Sequence, residues 1–289
     1  MPMPDDIGII DCMIGFKNVD VHAAYDFMRP MLRDKQSNEE FQFPVEYMFK
    51  EVPDGIDPHA DAVDETLREM DKYGIERGLI GVHDETGVRA IKSHPDRFIP
   101  SIGADGNEGM KGVEKIVRAY ETYGIKAVGT FPAGCFPQIP INDKFWYPTY
   151  AKCAELGLPI FICSGVPGPR LPMACQKVEL LDEVCWYFPE LTVVTRHGCE
   201  PWEALAVKLM LKWPNLHYST SAFAPRYYPK AIVDYANTRG ADKIIYAGYF
   251  PMGLALERIF HDMPGVGFKD EVWPKFLRGN AMRVLKLDQ

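Results

Sequence analysis

Short runs of β-branched and aliphatic residues alternate along the chain with longer stretches in which apolar residues recur every three or four positions. This is the pattern of a parallel sheet whose strands are joined by crossover helices. Eight runs read as strands: 7–12, 78–82, 98–102, 126–130, 159–163, 191–195, 216–220 and 244–247. Pro100 and Pro159 remove a ladder donor from the third and fifth, and so weaken each as an isolated strand. Between the runs, Val63, Thr66, Leu67 and Met70 fall at i, i+3, i+4 and i+7. Val113, Ile116, Val117 and Tyr120 repeat that spacing, as do Trp202, Leu205, Ala206 and Leu209. Gly74, Gly124 and Gly157 each stand just before an apolar residue that opens a new run, where a left-handed cap ends a helix.

Eight strand-helix units predict one α/β domain over residues 1–289, a single (β/α)8 barrel of the TIM type. In such a barrel the reactive groups gather at the C-terminal ends of the strands. An open doubly wound sheet is the alternative, and no glycine-rich phosphate loop follows the first run to support it. Residues 15–57 break the rhythm with Phe16, Tyr25, Phe27, Phe41, Phe43, Tyr47 and Phe49. A connection of this length on the active face reads as a partly helical lid, or as an insertion that packs against a second subunit.

Apolar residues make up 47% of the chain and charged ones 25%, which argues for a packed core and against disorder. The net charge of -8 comes without a basic cluster, so a nucleic-acid partner is not expected and small-molecule chemistry is. Met1-Pro2-Met3-Pro4-Asp5-Asp6 has neither the basic start nor the apolar core of a signal peptide, so a cytoplasmic location without membrane attachment is expected. Seven cysteines, an odd number without CxxC pairs, are expected to be buried and free of disulfides.

Several segments, taken in order, resemble the amidohydrolase-related family that includes the aminocarboxymuconate semialdehyde and resorcylate decarboxylases and various hydrolases. They are Ile9-Ile10-Asp11, Met70-Asp71-Lys72-Tyr73-Gly74-Ile75, His94-Pro95-Asp96-Arg97-Phe98 and Gly157-Leu158-Pro159-Ile160-Phe161-Ile162. Arg196-His197-Gly198-Cys199-Glu200-Pro201-Trp202, Lys212-Trp213-Pro214-Asn215-Leu216, Asp242-Lys243-Ile244-Ile245-Tyr246-Ala247 and Gly279-Asn280-Ala281-Met282-Arg283-Val284-Leu285 continue the series. The resemblance implies a barrel enzyme, often a dimer, with a divalent metal held partly by an Asp-x-His-x-His run on the first strand. Here that run is Asp11-Cys12-Met13-Ile14-Gly15. Cys163 stands at the metal-binding histidine of the fifth strand, and Tyr249 at the aspartate of the eighth. A thioether, a glycine and a phenol are poor ligands, so no metal and no cofactor are expected. A remodelled site drawn from Asp11, His83, Cys163 and His197 is the alternative, with Asp20-Val21-His22 as a faint echo of the lost motif.

The resemblance makes His197 the acid/base candidate, and an imidazole's ordinary pKa suits that work. Asp11, after an apolar run, is expected under the barrel mouth, where it would orient the imidazole or accept a substrate proton. Tyr249 is expected to donate to a substrate oxygen or oxyanion. Cys163 and His83 are expected to line the pocket, Cys163 as a nucleophile only in a setting that lowers its pKa. Arg170 and Arg226, in strand-end loops, are candidates to clamp a substrate carboxylate. Arg196, the neighbour of His197, is expected to point outward by strand alternation.

Without a metal to activate water, an enzyme of this kind favours activated substrates. The leading expectation is a metal-independent hydrolase of a small carboxylated or cyclic ester, lactone or thioester, working as a homodimer. A carboxy-lyase or hydratase of the same family is the first alternative, and a catalytically inactive ligand-binding barrel the second.

Overall fold

The computed structural model describes residues 3–287 apart from 22, 42, 50 and 51, so His22 of the Asp20-Val21-His22 echo lies outside the described residues. Eight strands run parallel, each hydrogen-bonded to the next in chain order: β1 (Ile9–Asp11), β2 (Ile75–Gly81), β3 (Phe98–Ala104), β4 (Ala127–Thr130), β5 (Ile160–Cys163), β6 (Val193–Arg196), β7 (Leu216–Ser219) and β8 (Ile244–Ile245). The first and last meet where Cys12 N donates to Tyr246 O at 3.2 Å and Gly15 N to Phe250 O at 2.9 Å, which closes the (β/α)8 barrel. The second strand starts at Ile75, three residues before the apolar run that marked it, because Glu76 and Arg77 interrupt its apolar character.

Helices α1 (Ala62–Lys72), α2 (Glu85–Ser93), α3 (Met110–Tyr123), α4 (Tyr147–Leu156), α5 (Leu181–Tyr187), α6 (Glu203–Lys212), α7 (Lys230–Tyr235) and α8 (Leu256–Asp262) each follow one strand. The carboxylate of Asp61 starts α1 by accepting from Val63 N and Asp64 N. Gly124 (φ 62°) and Gly157 (φ 65°) end α3 and α4 in the left-handed conformation that glycine adopts without a Cβ clash.

Alternation along the strands builds two cores. Ile9, Ile80, Phe98, Val128, Ile160, Ile162, Val193 and Tyr218 face the helices. Ile10, Cys12, Leu79, Ile99, Ala127, Phe161, Val194, Ile245 and Ala247 fill the inner face, whose floor is closed by Ala281, Val284 and Leu285 of α9 (Asn280–Leu285). Each fully buried aliphatic or aromatic side chain of this kind contributes about 1.5 to 3 kcal/mol.

The segment 15–57 is partly helical, with short turns at Ala23–Met31, Gln36–Glu40 and Glu46–Met48. It packs on loops at the C-terminal end of the barrel: Met28 and Leu32 join Ala133, Leu171 and Cys175. Tyr47 donates its hydroxyl to Gly168 O at 2.6 Å. Phe43 is buried at 2% exposure, whereas Phe27 and Tyr47 stay open at 59% and 46%. All seven cysteines are free and buried, and among the described residues no helix is long and apolar enough to cross a membrane.

Candidate active site

Strand β6 ends at Arg196, and the next three residues, His197 (φ 64°), Gly198 (φ 87°) and Cys199 (φ 61°), turn left-handed. Two of the three carry a Cβ, so this turn is strained, and strain of this kind collects at functional sites. Neighbours hold it in place. Tyr218 donates its hydroxyl to Gly198 O at 3.2 Å, and the Ser221 hydroxyl lies 3.2 Å from both the backbone nitrogen and Nδ1 of His197. Ser221 Oγ accepts the His197 N–H and shares a second hydrogen bond with Nδ1, which orients the ring and leaves Nε2 as its free edge among the described residues. Burial, and then the charge of Arg196, push the imidazole down to about 3.

The edge of the His197 ring meets Tyr249 with centroids 5.3 Å apart. Tyr249 in turn stacks on Phe49 and lies near Phe43, both from the segment 15–57. Burial holds its phenol well above its ordinary pKa, so it is a neutral hydrogen-bond donor.

Arg196 points into the barrel, correcting the outward orientation expected from its place before His197. Val194 is on the inner face, so Arg196 two residues on shares it, whereas His197 already belongs to the turn. Its guanidinium lies over the Phe161 ring, 4.9 Å from the centroid. Cys163, its registered partner on β5, is also inward and buried, and burial pushes its thiol up to about 12, the nearby Arg196 pulling the other way. Burial thus favours the thiol over the thiolate.

Asp11 does not reach His197. Ile10 and Cys12 take the inner face, so Asp11 between them turns to the outer wall, where Oδ1 accepts from Met13 N and Gly248 N, each at 2.8 Å. Complete burial outweighs these bonds and raises its carboxyl to about 7. Arg170 and Arg226, the expected clamps, are each already engaged by a carboxylate. Arg170 bonds Asp34 at 2.5 Å and Gln36 at 2.9 Å and covers the Tyr47 ring, while Arg226 makes a two-point pair with Asp262 at 2.8 and 2.6 Å. His83 has a side chain 72% exposed beside Asp84, and the open hollow it lines runs along α2 without touching His197, Arg196 or Tyr249. The structure thus brings together His197, Tyr249 and Cys163 of the expected set, and adds Arg196 and Ser221.

The residues present do not fit the divalent metal that the resemblance implies. Met13 offers only a thioether and packs against the inner apolar cluster, Gly15 offers no side-chain donor, Asp11 faces the outer wall, and Tyr249 is a phenol stacked on Phe49. No group of three or more His, Cys, Asp or Glu side chains able to hold an ion converges among the described residues.

Residues 19–287 match the family model described as amidohydrolase. No curated protein matches the chain. Among solved structures, the uncharacterised TIM-barrel protein Bb4693 of Bordetella bronchiseptica superposes with a TM-score of 0.73 at 23% identity, over 96% of this chain and 98% of that one. The 5-carboxyvanillate decarboxylase of Novosphingobium aromaticivorans, solved with manganese and 4-hydroxy-3-methoxy-5-nitrobenzoic acid, gives 0.68 at 16% identity over 98% and 97% of the two chains. The 4-oxalomesaconate hydratase of Rhodopseudomonas palustris gives 0.63 at 16% over 97% and 96%. These likenesses establish the shared barrel.

Proposed function

We propose that this chain, which belongs to the amidohydrolase family, is a lyase that works on a small carboxylated molecule, by decarboxylation or by addition or loss of water, with His197 moving the proton and no metal required. The observation that carries this reading is the state of His197 at the barrel mouth. The ring is fixed by Ser221 through Nδ1, is neutral, and has Nε2 unengaged among the described residues.

Hydrolysis needs a base for water at neutral pH, and the mouth supplies a poor one. The imidazole is depressed to about 3, and the carboxylate of Asp11 faces the outer wall. A lyase needs less: an electron-withdrawing contact for the oxygen on which charge builds, and a group that carries a proton at carbon. Arg196 and the Tyr249 phenol suit the first task; for the second, His197 would gain its proton only with the substrate carboxylate bound beside it, whose negative charge raises the imidazole from the depressed value of the empty site. A decarboxylase and a hydratase among the similar structures support this choice of reaction class. The segment 15–57, laid against Tyr249, Leu171 and Gly168, serves as the lid that keeps water out.

The test is a substrate panel of aromatic, dienoic and keto carboxylic acids, followed by carbon dioxide release or loss of ultraviolet absorbance, beside a panel of activated esters and lactones. Turnover of the acids that disappears in His197→Asn supports the lyase. Turnover confined to the esters and lactones would replace it with a hydrolase.

A further inference from the structure

Arg196 carries its charge to the inner face of the barrel, and among the described residues its side chain has no hydrogen-bond acceptor and no carboxylate partner; its Nε is buried and unbonded. The titratable groups around it are Cys12, Cys163, Tyr249 and His197, and none supplies a counter-charge. Other arginines of the molecule behave differently: Arg97 pairs with Asp71, Arg170 with Asp34 and Arg226 with Asp262. A half-buried cation with an aromatic face but no hydrogen-bonding or charged partner is destabilising, and such a cost persists where the charge is used.

Beside it there is room. Gly103 and Gly129 are paired in register on β3 and β4, on the inner face two residues beyond Ser101 and Ala127. A Cβ added at Gly103 would meet nothing within 4 Å, and Gly103 is exposed although its strand lies between two hydrogen-bonded neighbours. A Cβ at Gly129 would stand 2.8 Å from Nη1 of Arg196. The guanidinium therefore rests against bare β4 backbone at the edge of a hollow that opens over β3.

We propose that Arg196 is the anion-binding group of the barrel mouth and takes the carboxylate of a small flat molecule seated over Gly103 and Gly129. The proposal rests on reading the mouth as the active site. A carboxylate fits better than a phosphate, because its planar pair of oxygens matches the guanidinium fork, and its single charge is met by one arginine. The arginines of the neighbouring loops, Arg170 and Arg226, are already paired. The bare peptide planes of the two glycines favour a flat ligand over a branched one.

Calorimetric titration of the full chain with benzoate, benzyl alcohol and inorganic phosphate tests it. Benzoate is expected to bind about tenfold or more tighter than either of the others. Arg196→Gln should lower benzoate affinity by about tenfold or more, and Arg196→Lys by less, since the ammonium keeps the charge and loses the fork. Gly103→Val, whose Cβ meets nothing within 4 Å, should weaken benzoate similarly while Arg196 stays. His197→Asn should bind benzoate within about threefold of the parent, because it leaves the charge in place. Equal affinity for benzoate and benzyl alcohol, tighter binding of phosphate, or parent-like binding by both Arg196→Gln and Gly103→Val overturns the proposal. Benzoate bound through Arg196 in a protein that turns over no acid sinks the lyase reading and leaves the anion site standing. Turnover of acids with benzoate binding indifferent to both variants does the reverse.

Discussion

Ser221 grips His197 at two points, its hydroxyl lying 3.2 Å from the backbone nitrogen and 3.2 Å from Nδ1 of the ring. The left-handed turn takes His197 out of the strand ladder, so this hydroxyl fixes both the backbone and the imidazole plane.

Loss of that grip should lower turnover without unfolding the protein. Ser221→Ala is expected to reduce kcat about tenfold, and His197→Asn by ~10²- to 10⁴-fold, the range of general acid/base help. Asparagine is the right replacement because it tolerates the left-handed backbone. Steady-state kinetics with circular dichroism on both variants checks this. A Ser221→Ala enzyme as fast as its parent would remove Ser221 from the site.

Stability should climb with pH between about 4 and 6.5. Across that interval the unfolded chain protonates His197 and His217, whose folded-state pKa values near 3 keep them neutral in the barrel. The folded chain meanwhile holds one proton, on Asp11, that the unfolded chain has released, because Asp11 titrates near 7 instead of 3.8. Two imidazoles outweigh Asp11 and the part-proton that burial holds on Glu200, and the lowered Asp34, Asp61, Asp182 and Asp262 add to the unfolded side near pH 4, so the unfolded state binds more protons and protonation favours unfolding on the acid side. Urea titrations from pH 4 to 7 should show the rise, flattened in His197→Asn and steepened in Asp11→Asn. A slope of the opposite sign would contradict the neutral state of the two buried imidazoles.

Removing the unpaired charge of Arg196 should make the protein more heat-resistant while it loses ligand. Arg196→Met removes the guanidinium and keeps an unbranched side chain on the inner face, and is expected to raise Tm by about 2 °C or more. Calorimetric scans decide it; a lower Tm would mean that the guanidinium is a structural member.

Arg170 ties Asp34, Gln36, Phe41 and Tyr47 to the loop after β5. Arg170→Ala should therefore speed proteolytic cutting within residues 15–57 several-fold and leave the unfolding temperature of the barrel nearly unchanged. Time-resolved proteolysis with mass mapping reads both outcomes, and cutting no faster than in the parent would release Arg170 from this role.

Purified protein is expected to hold well under one equivalent of zinc, manganese or iron, and chelators should leave its unfolding temperature unchanged. Elemental analysis near one metal per chain would show that a donor set other than Asp11, Met13 and Cys163 is in use.

All eight strands could be read from the sequence because parallel strands covered on both sides are apolar throughout. That same uniformity hides which side chain faces inward. Val193-Val194 gives no parity, so the inward assignment of His197 alone sends its neighbour Arg196 outward, and Ile9-Ile10 likewise allows Asp11 to be placed at the mouth. Ser221 sits in Ser219-Thr220-Ser221, where three hydroxyls in a row single out none. Arg170 and Arg226 look available in the sequence because their acidic partners lie 136 and 36 residues away in the chain.

The floor of the barrel is made after its walls. Ala281, Val284 and Leu285 seal an inner face whose other members begin at Ile10. While the chain is being synthesised, all eight strands leave the ribosome before their stopper does, and water has access to Leu79, Ile99 and Phe161 from below until α9 arrives. Slow translation between the codons of Ile245 and Leu285 would lengthen the life of that unsealed intermediate, and with it the time in which chaperones or other unfinished chains can reach its apolar lining.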